Sequence, residues 1–494
     1  MAAARLKLLI DTNIIIPLEP TSVDDLHVNT DAASEIVKLA SETGAQLFIH
    51  PAASADLQRD TDACRRAMRA QLLRKYLTLT DPPSDSAISP VIGSPACGTN
   101  DWVDHQLLAA LRGNAIDFLI TEDQKIFKKA RVLGIEHRVF TIGAAVAHLN
   151  SLFDRAPSPP PAVVSTKAYA INDEDAILET FREDYAPDFD AWLARCKRDQ
   201  RQTWLVNVHG HHAAFAIVNE ETDLSEKIGA KTLKICSFKV SDEHRGFRFG
   251  ELLLKAIFGY AEVNRYEGIF VTVFPKYDEL IALFEDFGFA KIARRTQREE
   301  LILAKQLSWS PSDALMLDPL SFHVRFGPSA IKTDGTIAHI IPIRPEFAHV
   351  LFPETNPSPT LFAGRFPFGN GIRKAYLCNA STKSIRAGDN LFFYQSQHNQ
   401  GINAIGVVES TLRSRAPEEI ARVVGKRTVY TFEEIQELCA RGEVLAILFR
   451  QARILVPFIP RAELLERGVL KSAPQSITKI GEEGRAWLYE RIAM

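Results

Sequence analysis

A run of prolines near residue 160 divides this chain more firmly than any other feature of its sequence. Four of the seven residues in Ala156-Pro157-Ser158-Pro159-Pro160-Pro161-Ala162 are proline. Successive prolines continue neither a helix nor a sheet ladder, and they form a stiff, extended spacer. A weaker break lies at 308–313, and 494 residues exceed the size of one hydrophobic core. The sequence therefore predicts a multidomain chain with four parts: residues 1–155, a Pro-rich linker at 156–163, residues 164–307 and residues 315–494.

The composition is that of a soluble globular protein, with 46% hydrophobic and 24% charged residues and a net charge of −3. This charge balance does not by itself indicate a nucleic-acid partner. None of the six cysteines lies in a CxxC pair, which argues against a thiolate zinc site and favours a cytoplasmic location. No apolar run approaches the roughly 20 residues that span a bilayer, so we expect no membrane partner.

Residues 1–155 alternate between strand and helix patterns. The apolar runs of strand length lie at 6–10, 46–50 and 115–120, and helical spacing of apolar residues occurs at 32–42, 61–76 and 102–111. Such alternation predicts an α/β domain, in which a parallel sheet carries helices on both faces. Ligands of these sheets bind where the strands end.

Four aspartates follow this pattern at the expected edge of the sheet. Asp11 directly follows the first apolar run, Asp56 follows the second, Asp123 follows the third, and Asp104 lies on the helix that precedes the third. One such aspartate is more often a helix cap than a catalytic group, so the combination matters. Four carboxylates at one edge repel each other unless a cation lies between them, and hard oxygen ligands suit Mg²⁺ or Mn²⁺. Such ions support phosphoryl displacement.

The spacing of these acids resembles that of PIN-domain nucleases over residues 5–150. Asp11-Thr12-Asn13 follows the first strand, Thr121-Glu122-Asp123 follows a later strand, and Asp104 lies nineteen residues before Asp123. The resemblance implies a metal-dependent endoribonuclease, of the RNA-processing or toxin–antitoxin type. It leaves an antitoxin-like protein partner and a homodimer open.

The resemblance also implies individual roles. Asp11, Asp104 and Asp123 would bind the metal ion, and together with Asp56 they would be catalytic. Thr12, Asn13 and Thr121 would support them. Glu35 is an alternative for the second acid, and Asp101 can substitute for or assist Asp104. A basic run that includes Arg65, Arg66 and Arg69 is either an RNA-binding surface or an ordinary solvated helix face.

The middle segment has a strand at 233–240, a charged loop with glycines at 241–250 and a long amphipathic helix after it. A loop that ends at a helix N-terminus binds anions, because free N–H groups and the helix dipole converge there. This segment resembles the core of the GNAT acetyltransferases, an α+β fold in which such a loop holds the pyrophosphate of acetyl-CoA. The resemblance implies a site for acetyl-CoA or CoA formed by Phe238, Val240, Arg245, Gly246, Phe247, Arg248, Phe249 and Gly250.

Two positions depart from the GNAT pattern. Arg248 replaces the middle glycine of the loop, where it either obstructs the phosphates or supplies a compensating cation. Phe284 replaces a tyrosine that in many members protonates the leaving thiolate, and a phenyl ring cannot donate a proton. Glu243, His244 and Cys236 are the alternative acid–base groups, and a degenerate structural or sensing domain stays open as the alternative to acetyl transfer.

Residues 315–494 are rich in short strand patterns separated by turns, which predicts a small β-barrel with helices. The stretch at 385–396, followed by 405–408, resembles the PUA-like superfamily with its EVE and ASCH domains, which mostly bind RNA or modified bases. Aromatic and basic residues lie together before it, as in base-stacking sites. The predicted RNA contacts are Arg365, Phe366, Arg373 and Lys374, with Tyr376 and the polar segment 471–477 near the same site.

These patterns give three hypotheses for the whole chain. The first is a metal-dependent endoribonuclease with an acetyl-CoA-binding domain and an RNA-binding C-terminal domain. The second is an N-acetyltransferase acting on RNA or protein, in which the PIN-like domain only binds. The third is an RNA-binding sensor without enzymatic activity.

Overall fold

The computed structural model describes residues 5–18, 30–53, 73, 76–153, 163–208, 210–222, 224–294, 299–355, 371–397 and 400–493. Several predicted positions lie outside these described residues: Asp56, Arg65, Arg66, Arg69, Arg365 and Phe366, with nearly all of the linker. The chain divides into two compact units. The first comprises Met1–Pro157, Ser414–Lys426 and Tyr430–Val444, and the second comprises Ser158–Arg413, Arg427–Val429 and Leu445–Met494.

The strands are, in chain order, β1 (Lys7–Ile10), β2 (Gln46–Ile49), β3 (Leu77–Thr78), β4 (Phe118–Ile120), β5 (Val139–Phe140), β6 (Val163–Lys167), β7 (Gln202–Val208), β8 (His211–Glu220), β9 (Thr232–Val240), β10 (Gly268–Val273), β11 (Ala290–Arg294), β12 (Leu301–Gln306), β13 (Ala338–Ile343), β14 (Arg373–Cys378), β15 (Asn390–Gln395), β16 (Gly401–Ser414), β17 (Val444–Pro460) and β18 (Thr478–Lys479).

The α-helices are, in chain order, α1 (Thr12–Leu18), α2 (Thr30–Thr43), α3 (Ser89–Ile92), α4 (Asn100–Arg112), α5 (Gln124–Val132), α6 (Ile142–Leu152), α7 (Glu179–Asp184), α8 (Phe189–Arg198), α9 (Ser225–Ile228), α10 (Phe249–Val263), α11 (Asp278–Asp286), α12 (Pro311–Met316), α13 (Pro319–Phe326), α14 (Pro345–Leu351), α15 (Pro417–Val424), α16 (Phe432–Arg441), α17 (Arg461–Glu466) and α18 (Glu482–Ala493).

The first unit is built on a parallel sheet in the order β3-β2-β1-β4-β5. The central strands are buried on both faces, which explains why they are unbroken apolar runs. Helix α4 contributes five consecutive buried residues, Leu107–Leu111, to the core against β4. The predicted parallel sheet is confirmed, and it places Asp11 and the loop after β4 at one edge.

The second unit contains two sheets. The first has seven strands in the order β11-β12-β10-β9-β8-β7-β6, and its only parallel pair is β9 with β10. Helix α10 lies against this sheet, and its buried face includes Leu253, Leu254 and Ile257. The helix thereby fixes where the loop that precedes it meets the ends of β9 and β10.

The other sheet of this unit has six strands in the order β14-β17-β16-β15-β13-β18. Strands β13 and β15 are parallel, while β14 with β17 and β15 with β16 are antiparallel. The buried aromatics of β15, Phe392, Phe393 and Tyr394, belong to its core. Closure into the predicted barrel stays a prediction. Among the described residues, every helix is too short or too polar to cross a lipid bilayer.

Candidate functional site

Strands β9 and β10 separate partway along their length. Their paired register runs from Thr232–Gly268 to Ile235–Val271, whereas β9 continues to Val240 and β10 to Val273. The register of β9 against β8 also shifts at this point, between Ile235 and Ser237. Parallel strands that stop pairing leave backbone groups along both inner edges, and an extended chain with amide groups can bind there by strand-like hydrogen bonds.

The loop after β9 leads into α10, a helix of 15 residues that begins without a side-chain cap. Its first-turn N–H groups therefore face the loop without a side-chain acceptor, which favours an anion. Gly246 has a φ of +81° and Arg248 a φ of +63°, and these left-handed residues fold the loop back over the helix end. This arrangement fits the phosphates of a nucleotide-like ligand such as CoA.

The predicted cofactor residues divide into two groups in this structure. The loop and first turn bring together Arg245, Gly246, Phe247, Arg248, Phe249 and Gly250, and β9 carries Phe238 and Val240 toward the same helix. A Cβ on residue 250 would lie 2.7 Å from Cδ2 of Leu283, so a larger residue there would require the Leu283 side chain to move. Arg245 pairs with Asp242 at 2.7 Å.

The guanidinium of Arg248 is paired within the protein, and its two roles suggested by the sequence, obstruction of the phosphates or a compensating cation, stay predictions. Its Nε donates a hydrogen bond to Oε2 of Glu251 at 2.8 Å, and Nη2 donates to Oε1 of the same carboxylate at 2.7 Å. Its guanidinium charge is therefore engaged by Glu251 within the protein.

Phe284 and two of the alternative acid–base groups, Cys236 and His244, differ in their surroundings. Phe284 is buried in the core, with ring centroids 5.2 Å from Phe238 and 4.9 Å from Phe289. Burial raises the pKa of the Cys236 thiol to about 12, so this sulfur stays protonated and is a poor base. Nδ1 of His244 lies 2.7 Å from Oγ of Ser241, and its ring stacks on Phe249.

A group of polar residues that sequence reasoning missed lies past the end of β10. The hydroxyl of Tyr277 donates a hydrogen bond to Oδ2 of Asp184, and Nζ of Lys276 pairs with Oδ1 of the same carboxylate. Beside them, the hydroxyl of Tyr185 donates to Oε1 of Glu300 at 2.7 Å. We call these five residues the tyrosine–carboxylate cluster.

The tyrosine–carboxylate cluster lies at the splayed ends of both strands. The ring of Tyr185 packs 5.3 Å from that of Phe274, the residue after β10. Lys239, near the end of β9, is close enough to Asp184 for the two charges to interact. Desolvation and the hydrogen bond to Asp184 raise the pKa of Tyr277 to about 12, so its hydroxyl keeps a proton at neutral pH.

At the edge of the first sheet, the carboxylate of Asp11 is buried and fully hydrogen-bonded. Its Oδ1 accepts from the N–H of Thr12 at 2.7 Å, and its Oδ2 accepts from the hydroxyl of Thr121 at 2.7 Å. That hydroxyl also accepts from Nδ2 of Asn13 at 3.1 Å and from the N–H of Asp123 at 3.0 Å. The predicted supporting residues Thr12, Asn13 and Thr121 are thus brought together around Asp11.

The charges of Asp104 and Asp123 affect the pKa of Asp11, but each of these two carboxylates also has another partner. Burial raises the pKa of Asp11 to about 6, hydrogen bonds from Thr121 and Thr12 oppose this, and the charges of Asp104 and Asp123 add to it. Asp123 caps α5 by accepting from the N–H of Lys125 at 2.7 Å, the alternative role considered for such an aspartate.

Lys129 places a cation at this edge. Its Nζ lies 3.2 Å from Oδ2 of Asp104 and 2.5 Å from Oδ1 of Asp101. Among the described residues, no three His, Cys, Asp or Glu side chains are arranged to hold a metal ion. A Mg²⁺ or Mn²⁺ site at this edge stays a prediction, because Asp56, one of its four predicted acids, lies outside the described residues. Glu35, the alternative acid, lies on α2 and pairs with Lys38 at 3.6 Å.

His50 is a further residue at this edge that the sequence pattern did not single out. It follows β2 as Asp11 follows β1, and the register of these strands, Leu9 with Phe48, aligns the two residues. His50 is 3% exposed, and its Nε2 has no hydrogen-bond partner among the residues that the structure describes. Burial lowers the pKa of His50 to about 4, so it is neutral at physiological pH.

The two described members of the predicted RNA contacts, Arg373 and Lys374, need correction. Lys374 is completely buried on β14, so RNA cannot reach it in this structure. Arg373 pairs with Glu409 at 3.2 Å and with Asp286 at 3.5 Å, and its guanidinium lies over the ring of Phe287. These two neighbouring side chains point to opposite faces of β14, and both faces are covered by the protein. A search for basic residues near aromatics does not detect this.

A cavity of about 580 Å³ in the six-stranded sheet region is a better candidate for a base-binding site. Two tyrosine rings, Tyr376 and Tyr394, line it with the cation of Arg344. The remaining lining includes the polar groups of Asn379, Ser396, Gln397, Gln400, Gln475 and Ser476. The segment 473–477, which the sequence placed near the site, forms one wall of this cavity.

Comparisons with known proteins bear on the second unit. Residues 168–289 match the acetyltransferase (GNAT) family. A search of curated proteins finds no match. This matched region contains the splayed strands, the loop at 241–250 and most of the tyrosine–carboxylate cluster.

Among solved structures, the chain is similar to ASCH from Zymomonas mobilis, with 14% identity, a TM-score of 0.25, and coverage of 31% of this chain and 94% of the other. It is also similar to a GNAT acetyltransferase from Staphylococcus aureus Mu50, with 13% identity, a TM-score of 0.25, and coverage of 30% and 100%. A GNAT acetyltransferase from Elizabethkingia anophelis with acetyl-CoA bound gives 13% identity, a TM-score of 0.24, and coverage of 30% and 99%. These values are too low to assign an activity. The family match does not depend on these structural similarities. The chain contains a GNAT acetyltransferase domain at residues 168–289.

Proposed function

We propose that this protein is an acetyl-CoA-dependent N-acetyltransferase whose acceptor is an amine on RNA or protein. The observation that carries the proposal is the tyrosine–carboxylate cluster beside the splayed ends of β9 and β10, inside the GNAT domain. When bound, acetyl-CoA supplies an acyl carbon and a thiolate leaving group. The loop at 241–250 and the first turn of α10 would hold its phosphates.

The chain's own groups supply the remaining chemistry. Tyr277 holds a proton that it can give to the departing sulfur, which is the function that Phe284 cannot perform. Asp184 can take a proton from the attacking amine and return one to Tyr277, so the N–C bond forms as the C–S bond breaks with no net change in protons.

The C-terminal part is proposed to select the macromolecule that carries the acceptor. Its cavity is lined by the largely buried Tyr376 and Tyr394, by several amide and hydroxyl groups that suit base edges, and by Arg344, which suits a phosphate. We therefore favour an RNA acceptor, with protein as the alternative.

Labelled acetyl-CoA tests this proposal directly. The pure protein is incubated with [¹⁴C]acetyl-CoA and either total RNA or total protein, and label in each fraction is counted after removal of free CoA. We expect label in RNA that depends on the enzyme. Label in the protein fraction alone would show that the acceptor is a protein. Absence of label in both fractions, with no binding of millimolar acetyl-CoA, would exclude the acetyltransferase function.

Metal-dependent RNA cleavage by the first unit is a second candidate function. The observation in its favour is the electrostatic coupling of the buried Asp11 to Asp104 and Asp123. Against it stands Lys129, which neutralises Asp104. Incubation of total RNA with Mn²⁺, with and without EDTA, tests it. EDTA-sensitive cleavage that disappears in the Asp11→Asn, Asp104→Asn double variant would support a nuclease, and cleavage that persists in this variant would remove it.

A further inference from the structure

The guanidinium of Arg248 joins the loop at 241–250 to the start of β14. Besides its two hydrogen bonds to Glu251, Nη2 of Arg248 donates to the carbonyl oxygen of Arg373 at 2.7 Å. Oε1 of Glu251 accepts from the backbone N–H of Arg373, also at 2.7 Å. One arginine from the loop, one carboxylate from the first turn of α10 and the backbone of β14 are thus connected by hydrogen bonds.

Gly371 leaves room for the ion pair between Arg248 and Glu251. A Cβ on residue 371 would lie 2.4 Å from Nη2 of Arg248 and 2.9 Å from Oε1 of Glu251. No real Cβ approaches polar atoms this closely, so any side chain at 371 would displace the ion pair. The chain outside the matched GNAT region is therefore shaped to receive Arg248.

The pair is too buried to reorganise without cost. The Arg248 side chain is 12% exposed and that of Glu251 is 7% exposed. Burial on its own would raise the pKa of Glu251, but the charge of Arg248 and the N–H of Arg373 hold it below its ordinary value. Loss of one partner of such a pair leaves an uncompensated buried charge.

The backbone of Arg248 depends on the same contacts. Residue 248 is left-handed, with a φ of +63°, and this conformation disfavours residues other than glycine. It is also the last residue before α10, so its conformation decides where the N–H groups of the loop and of the first turn point. The hydrogen bonds of its side chain oppose relaxation to an ordinary backbone conformation.

We propose that Arg248 is a positioning residue, through which residues 371–373 of the C-terminal part set the affinity of the loop for acetyl-CoA. This inference rests on the proposed acetyl-CoA function for its ligand, although the coupling itself is a property of the chain. Because coupling is reciprocal, bound acetyl-CoA must also stabilise the start of β14.

Gly371→Ala tests the coupling from outside the GNAT domain. Gly481→Ala is the matched control, since a Cβ at 481 meets nothing within 4 Å. Affinity for CoA is measured by calorimetry on the full chain, and a thermal melt checks folding. We expect Gly371→Ala to bind CoA about tenfold more weakly, with a raised KM for acetyl-CoA and unchanged kcat, and Gly481→Ala to match the native protein. Native affinity in a folded Gly371→Ala variant would overturn the proposal.

Arg248→Gly decides between positioning and obstruction. Glycine at position 248 adopts a φ of +63° without strain and removes the arginine side chain. If the arginine obstructs the phosphates, this variant should bind CoA more tightly. If the arginine positions the loop, the variant should bind CoA more weakly. Arg248→Lys keeps the positive charge but cannot form the two guanidinium hydrogen bonds to Glu251. We therefore expect its affinity for CoA to lie between those of Arg248→Gly and the native protein. Tighter binding by Arg248→Gly would overturn the proposal.

Hydrogen exchange of the protein without ligand keeps this inference separate from the acetyltransferase function. In Gly371→Ala we expect faster exchange of amides 244–250 than in the native protein and in Gly481→Ala. If the native protein does not bind CoA, the acetyl-CoA function fails, and the exchange rates still decide whether residue 371 positions the loop. Identical exchange in all three proteins would contradict it.

Discussion

Tyr277 donates its phenolic hydrogen to Asp184, a residue 93 positions earlier in the chain. The tyrosine immediately precedes α11 and follows the second of two splayed strands, and the aspartate ends α7. This contact places a proton donor within the GNAT domain although Phe284 occupies the family's usual position for one. It also joins the donor to a carboxylate that can return its proton.

Replacement of Tyr277 by phenylalanine removes only the hydroxyl. We expect kcat for acetyl transfer to fall by roughly 100-fold with little change in the KM for acetyl-CoA, because general acid catalysis contributes on that scale. Initial rates with labelled acetyl-CoA provide the measurement. Tyr169→Phe, at an exposed tyrosine, is the matched control and should have native kcat. Native kcat in Tyr277→Phe would assign the proton to another group.

Asp11→Asn should stabilise the first unit at neutral pH. Burial raises the pKa of Asp11 to about 6 in the folded chain from 3.8, so the folded state disfavours the charged form, and stability falls as pH rises from about 4 to 6. Removal of this charge should add up to about 3 kcal/mol above pH 6 and progressively less toward pH 4.

Thermal melts of the native protein and Asp11→Asn between pH 4 and pH 8 measure this difference. A gain that is equal at both ends of the range would show that burial of the charge is not its cause. A loss of stability at pH 7 would show that the hydrogen bonds from Thr12 and Thr121 require a carboxylate.

Glu409 predicts the opposite dependence on pH. Burial would raise its pKa, but Arg427, Arg450 and Arg373 outweigh burial and lower it to about 2. A lowered pKa means that the stabilisation is fully present above the unfolded value near 4.5 and is lost as pH falls toward 2. Glu409→Gln should therefore lower the melting temperature of the second unit at pH 7, at a cost of about 3 kcal/mol or more. The difference between the two proteins should shrink below pH 4.5, and a constant difference would contradict it.

The sequence predicted those features that lie close together along the chain. Asp11-Thr12-Asn13 and Thr121-Glu122-Asp123 each follow a buried strand, and a parallel sheet necessarily brings the ends of such strands together. The loop at 241–250 was likewise predicted, because a strand, a loop and a long helix are consecutive. In both cases the local pattern fixes the geometry.

Contacts between distant segments could not be predicted in the same way. Asp184 and Tyr277 share no spacing or motif, and only the packing of α7 beside the splayed strands brings them together. A basic residue near aromatics predicts an RNA contact at Lys374, whereas β14 is covered on both faces and this side chain is buried. The role of Arg248 depends on Gly371 and the backbone of Arg373, which a single-sequence pattern does not connect to the loop.

Arg344 provides a test of the cavity as a nucleic-acid site. Its side chain is 62% exposed and pairs with Glu346 at 3.1 Å on the rim of the cavity. If it contacts a phosphate, Arg344→Ala should weaken binding of a short single-stranded RNA and reduce the slope of log Kd against log salt by about one. Arg441 is a matched control, since it is 67% exposed, pairs with Glu437 at 2.9 Å and is not among the described residues that line the cavity. Fluorescence anisotropy at several salt concentrations measures both variants. Equal salt slopes for Arg344→Ala, Arg441→Ala and the native protein would exclude Arg344 as a phosphate contact, and RNA binding would then have to be sought outside this cavity.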